Sequence, residues 1–143
     1  MKFIVFLLFI TGFVSCQSSP KATQNAKKTK QGQPEFVFQE EFHNFGKLEA
    51  GETIAFDFSF ENKGTGYLQI VKAVTDCGCI TIGFPKEQIT PGKDGYIEIV
   101  FNTSGEVGKV LKEVQLVTKR CGTKTLTVGA NIHNDVINLY SKN

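Results

Sequence analysis

Chemistry in this 143-residue chain could start from one short stretch, Cys77-Gly78-Cys79, together with a third cysteine at Cys121 and two histidines, His43 and His133. Thiols at that spacing allow four uses. They can be a packed, idle pair at a strand end. They can form a disulfide, either with each other or with Cys121. The Cα atoms of Cys77 and Cys79 lie at most about 7 Å apart, the edge of what a disulfide spans, so a bond between them asks Gly78 to bend the chain, and so small a ring is readily reduced. A bond from either one to Cys121 closes a loop of about forty residues and stabilises by about 3–4 kcal/mol in the chain-entropy model. Two thiolates can also converge on Cu(I), or the three cysteines with His43 or His133 on zinc. Thiol-redox exchange is the fourth use, although the C-x-x-C at a helix N-terminus that favours it is missing.

The first residues say where these thiols work. After Lys2 comes an apolar run over residues 3–10, then Val14-Ser15-Cys16, the pattern of a secretory signal too short to be a membrane-spanning helix. A small residue directly before Cys16 resembles the lipobox of bacterial lipoproteins, which implies cleavage after residue 15 and acylation of Cys16. After Cys16, residues 17–34 are Ser, Thr, Gln, Asn, Ala, Gly, Pro and lysine, with no acid and no aromatic, so residues 16–34 are expected to be a lipidated cysteine and a disordered tether. Gln17 is not the aspartate that retains such lipoproteins on an inner membrane. The expected address is the outer membrane, periplasmic face, in an oxidising compartment.

Charge excludes one class of partner. The chain carries 16 basic and 14 acidic residues, but five of the lysines precede Glu35, so residues 35–143 hold 11 against 14, a net of −3. With no basic patch interleaved with aromatics, no nucleic-acid partner is expected.

Residues 35–143 are the size of one domain. Apolar residues recur with period two at Ile54, Phe56, Phe58 and Phe60, at Ile97, Ile99 and Phe101, and at Leu126, Val128, Ala130 and Ile132. Further strands are expected over residues 36–42, 67–74 and 110–118. Asn62-Lys63-Gly64-Thr65-Gly66 reads as a hairpin, Pro91-Gly92 as a turn, and residues 103–109 as another. The expectation is an all-β fold, an immunoglobulin-like antiparallel β-sandwich of about seven strands.

The ordered series Phe42-His43-Asn44-Phe45-Gly46, Phe58-Ser59-Phe60-Glu61-Asn62-Lys63-Gly64, Cys77-Gly78-Cys79, Pro91-Gly92, Val100-Phe101-Asn102-Thr103 and Gly108-Lys109 resembles the bacterial envelope family called domain of unknown function 1573. The resemblance implies an immunoglobulin-type sandwich, often lipid-anchored, and brings no activity with it. Asn44, Ile80 and the extra Cys121 depart from the family pattern.

No acid/base pair, nucleophile or dinucleotide loop is discernible, so no enzyme and no cofactor are expected. The expected function is a lipid-anchored, non-catalytic binding or assembly module of the cell envelope. It would be bound to the membrane through Cys16 and would meet a protein or envelope partner through residues 75–85, with Gly78 at the centre of that loop and His43 as a further candidate. The alternative is a soft-metal or thiol-redox protein using Cys77 and Cys79, with Cu(I) or zinc as the ion.

Overall fold

A computed structural model describes residues 32–134. The signal segment, Cys16 and most of the tether lie outside the described residues, as do residues 135–143. Eight strands run in the order β1 (Phe36–Phe38), β2 (Phe42–Glu49), β3 (Thr53–Asn62), β4 (Ile70–Thr75), β5 (Ile80–Gly83), β6 (Asp94–Asn102), β7 (Gly108–Thr118) and β8 (Thr123–His133). They form two four-stranded sheets, β1-β3-β6-β5 and β2-β8-β7-β4, with no helix among the described residues. The fold is an immunoglobulin-like β-sandwich.

The period-two pattern becomes the core. Phe58, Ile97, Ile99, Phe101 and Leu126 are fully buried, with Phe60, Val128 and Ile132 almost so, and the alternate polar positions of β6, Glu98 among them, face outward. Phe58 lies opposite Ile97 and Phe56 opposite Ile99, so β3 and β6 present matched apolar rows on one face of their sheet. Burying each large side chain contributes about 1.5–3 kcal/mol.

Four expectations change. Residues 36–42 are not one strand: after Phe38 the chain leaves β3 and crosses to the second sheet, where β2 joins β8. That pairing is parallel, an exception in an otherwise antiparallel sandwich. Residues 62–66 do not close a hairpin, because β3 and β4 belong to different sheets and the turn carries the chain between them. A short β5 follows the cysteine pair and brings the strand number to eight.

The crossing at residues 62–66 is held by Asn62, fully buried at the end of β3. Its amide nitrogen donates to the carbonyls of Gly66 at 2.8 Å and Ile89 at 2.9 Å. Its amide oxygen accepts from the N–H groups of Glu35 and Gly64, both at 3.2 Å. Its backbone pairs with Lys93 and Gly92. The Gln33 carbonyl accepts from Thr65 and Gly66, so the domain begins before Glu35, inside the stretch expected to be tether.

Asn62→Asp conserves shape but turns the donor facing two carbonyls into an acceptor. It is expected to lower unfolding free energy by about 2–4 kcal/mol in urea titration, while Ser59→Ala on the same strand changes it by less than about 1 kcal/mol. Gly95 lies opposite Phe60, and a Cβ there would meet that ring at 2.5 to 3.1 Å. Gly95→Ala is therefore expected to cost about 1–3 kcal/mol by overpacking, measured the same way.

Candidate functional site: a disulfide corner and an apolar groove

β4 and β5 are edge strands of different sheets, and the chain passes from one to the other through Asp76, Cys77, Gly78 and Cys79. The passage is a tight turn in which the Ile80 N–H donates to the Cys77 carbonyl at 3.3 Å. Asn102 on β6 donates to the Cys79 carbonyl at 2.9 Å, tying the turn to the first sheet. Within it Cys77 and Cys79 form a disulfide, with Cα atoms 5.1 Å apart. The Cys79 N–H points at Cys77 Sγ, 3.1 Å away. Gly78 is exposed, a Cβ on it would touch nothing within 4 Å, and its φ is not positive. The bend therefore does not need glycine's freedom.

Two residues that sequence reasoning missed complete the corner. Glu106 lies in the turn between β6 and β7, where its N–H donates to the Thr103 carbonyl at 3.0 Å. Thr103 is fully buried; its hydroxyl accepts from the Gly51 N–H and contacts the carbonyls of Glu49 and Glu52, so the turn is fixed to the β2–β3 connection. From there Glu106 Oε1 sits 2.7 Å from Lys112 Nζ and 3.9 Å from Cys77 Sγ. Lys112 occupies an inward-facing position of β7, in phase with Val110, Val114 and Leu116. Its side chain is 18% exposed and that of Glu106 20%. The signal was present in the sequence: a lysine in the apolar phase of a strand.

The other expected participants are elsewhere. β4 and β7 pair with Ile70 opposite Thr118 and Thr75 opposite Val114, so Cys121, three residues past Thr118, is at the far end of the sandwich from Cys77. At least four residue steps, about 13 Å, separate them, and a bond between Cys121 and either partner is ruled out. Cys121 is a free thiol that donates to the Pro34 carbonyl at 3.3 Å. Burial raises its pKa, opposed by the hydrogen bond with Thr118 and the charge of Arg120. His43 is in strand β2, its ring stacked on Phe56 with centroids 3.5 Å apart and edge-on to Phe45. β2 and β4 are opposite edges of their sheet, about 14 Å apart, so His43 takes no part in the corner. His133 ends β8, paired with Glu49. The zinc set of three cysteines and a histidine is not assembled. Cys77, Cys79 and Glu106 do place donor atoms within 4.8 Å of one another, but with the two sulfurs bonded to each other no thiolate stands beside the carboxylate.

A second feature was also unforeseen. On the outer face of β2, β8 and β7, Phe42 is 51% and Leu111 68% exposed, and they flank Gly129. A Cβ at Gly129 would meet Leu111 at 3.1 Å and Phe42 at 3.4 Å, so the missing side chain makes the floor of a groove of about 440 Å³, bordered by Lys47 and Lys109.

The sandwich is shared with solved structures. A protein of unknown function from Porphyromonas gingivalis W83 is similar at a TM-score of 0.59 and 18% identity over 71% of this chain and 47% of that one. The Vibrio cholerae VesB protease is similar at 0.53 and 13% over 70% of this chain and 31% of that one. The ASH/PapD-like domain 7 of human CEP192 is similar at 0.53 and 12%, covering 90% of this chain and 98% of that domain. This chain thus spans less than half of the first two proteins, and at these identities the likeness is one of fold. No curated protein matches the sequence. The family model described as "Protein of unknown function (DUF1573)" matches residues 36–140, which takes in every strand described above, and the chain belongs to that family.

Proposed function

We propose that the protein is a lipid-anchored, non-catalytic binding or assembly module of the cell envelope, held by an acylated Cys16 at the periplasmic face of the outer membrane. The anchor and address are supported by the apolar leader, by Ser15 directly before Cys16, and by the polar residues that follow. The partner is a protein or envelope component that presents an apolar side chain.

The observation that carries the binding reading is the groove between Phe42 and Leu111. Large apolar side chains more than half exposed on either side of a bare glycine leave a concave surface that water wets poorly and an apolar side chain fills. Strand addition at a sheet edge, the other physical route, is less well supported. β1 and β5 are three and four residues long, and β2 and β4 are each interrupted by a register shift, features that blunt edges. The loop over residues 75–85 remains part of the proposal as the rigid end beside which a partner would sit.

Two measurements test this reading. A photo-crosslinking residue at position 111 is expected to give a discrete adduct in intact cells that one at Lys63 does not, and Phe42→Ser should abolish it. Because Phe42 is half exposed, that variant should cost less than about 1 kcal/mol of stability. Adducts of equal yield at both positions would refute the groove as the binding surface. Cys16→Ser is expected to move the protein from the membrane fraction to the soluble periplasmic fraction and to abolish labelling by a radioactive fatty acid.

A further inference from the structure

A cross-link between residues two apart in sequence does little for stability, because it constrains the unfolded chain over the shortest of loops. The turn it sits in is already closed by the Ile80-to-Cys77 and Asn102-to-Cys79 backbone bonds, which do not need the sulfurs. Both cysteines are only partly buried, so an incoming thiol can reach them, and exposed disulfides are the labile ones.

An independent observation points the same way. Lys112 stands where the alternation of β7 calls for an aliphatic side chain, and a partly buried ion pair is seldom more stabilising than the apolar residues it replaces. That pair is not aimed at solvent: the same Glu106 oxygen that holds Lys112 lies 3.9 Å from Cys77 Sγ. On the other side, the Cys79 N–H is directed at that sulfur. Cys77 therefore has a donor suited to a thiolate and an acceptor suited to a thiol proton.

We propose that the module also carries a reversible redox couple, Cys77 and Cys79, which exchanges stoichiometrically rather than catalytically with an exported protein dithiol, with Glu106 carrying the proton of Cys77 and Lys112 positioning Glu106. In the reducing direction a thiolate of the dithiol attacks Cys79 Sγ. The Cys77–Cys79 bond breaks, Cys77 leaves as a thiolate beside the Cys79 N–H, and a mixed disulfide forms at Cys79. The second thiol of the dithiol then attacks its own sulfur in that mixed disulfide and releases Cys79. The dithiol is oxidised to a disulfide and gives up two electrons and two protons, which end on Cys77 and Cys79 as thiols, the Cys77 proton passing through Glu106. Oxidation runs the same steps backwards, Glu106 taking the proton from Cys77 as it becomes the nucleophile.

The test uses the full chain, equilibrated in glutathione buffers of varied ratio, quenched by acid and alkylated, with the peptide that carries Cys77 and Cys79 read by mass spectrometry. The pair is expected to pass from oxidised to reduced within the glutathione series while the protein stays folded by circular dichroism. Glu106→Gln should slow reduction by reduced glutathione at least tenfold. Lys112→Met should slow it similarly and Lys112→Arg should restore it, a pattern that a purely structural lysine would not give. A bond that stays closed in reduced glutathione alone overturns the proposal on the wild-type chain, whatever the variants do. A bond that opens but at the same rate in wild type, Glu106→Gln and Lys112→Met overturns the role of the ion pair. Both results are independent of whether the groove binds a partner.

Discussion

One side-chain amide holds the two sheets in their relation. Between β3 and β4 the chain must leave one sheet for the other, and every backbone group in such a crossing loses its strand partner. Asn62 replaces those partners: its donors reach residues 66 and 89, its acceptor residues 35 and 64, and its own backbone residues 92 and 93. Three segments, at residue 35, residues 64–66 and residues 89–93, thus converge on one buried group whose hydrogen-bonding capacity is filled. No apolar residue could do this, and no acid could, since two of the facing groups are carbonyls. Thr103 plays the smaller counterpart at the other end, tying the β2–β3 connection to the β6–β7 turn with one hydroxyl. The functional corner depends on this second knot, because Glu106 is placed by the Thr103 carbonyl.

Most of the sandwich was legible because its physics is local. Alternation in β3, β6 and β8 names the buried residues directly, and Phe58, Ile97 and Leu126 are where period two puts them. What was not legible depends on which strand finds which. Asn62-Lys63-Gly64-Thr65-Gly66 has the composition of a hairpin turn, and nothing within those five residues says that the next strand belongs to the other sheet. His43 directly follows the stretch that reads as the first strand, and its place in a separate strand depends on the parallel partner β8, more than eighty residues later. The cysteines divide in the same way. That Cys77 and Cys79 could meet followed from their spacing, whereas the remoteness of Cys121 is a property of the β4–β7 register. Glu106 and Lys112 were in between: Lys112 broke the apolar phase of β7 in plain view, but only the folded turn shows that its partner reaches a sulfur.

The groove and the corner share a cause. Strand β7 begins at Gly108, and within its first five residues Leu111 faces outward to the groove while Lys112 faces inward to Glu106. Successive residues of a strand point to opposite faces, so one short segment serves both surfaces. A shift of one residue in the β7–β8 register would exchange them, putting lysine on the groove and leucine on the sulfur. The long pairing of β7 with β8, unbroken from Gly108 to Val117, prevents it.

The end at which the polypeptide enters also gives the molecule a polarity. Gln33 and Pro34 are fastened at the end that holds Asn62 and Cys121, where the Cys121 thiol meets the Pro34 carbonyl. Lys112 lies six residues from Thr118 along β7, about 20 Å away toward the opposite end. Whatever holds the N-terminal side of this chain therefore grips it by one pole, like a flag by its staff, and the reactive sulfurs and the apolar groove fly at the other.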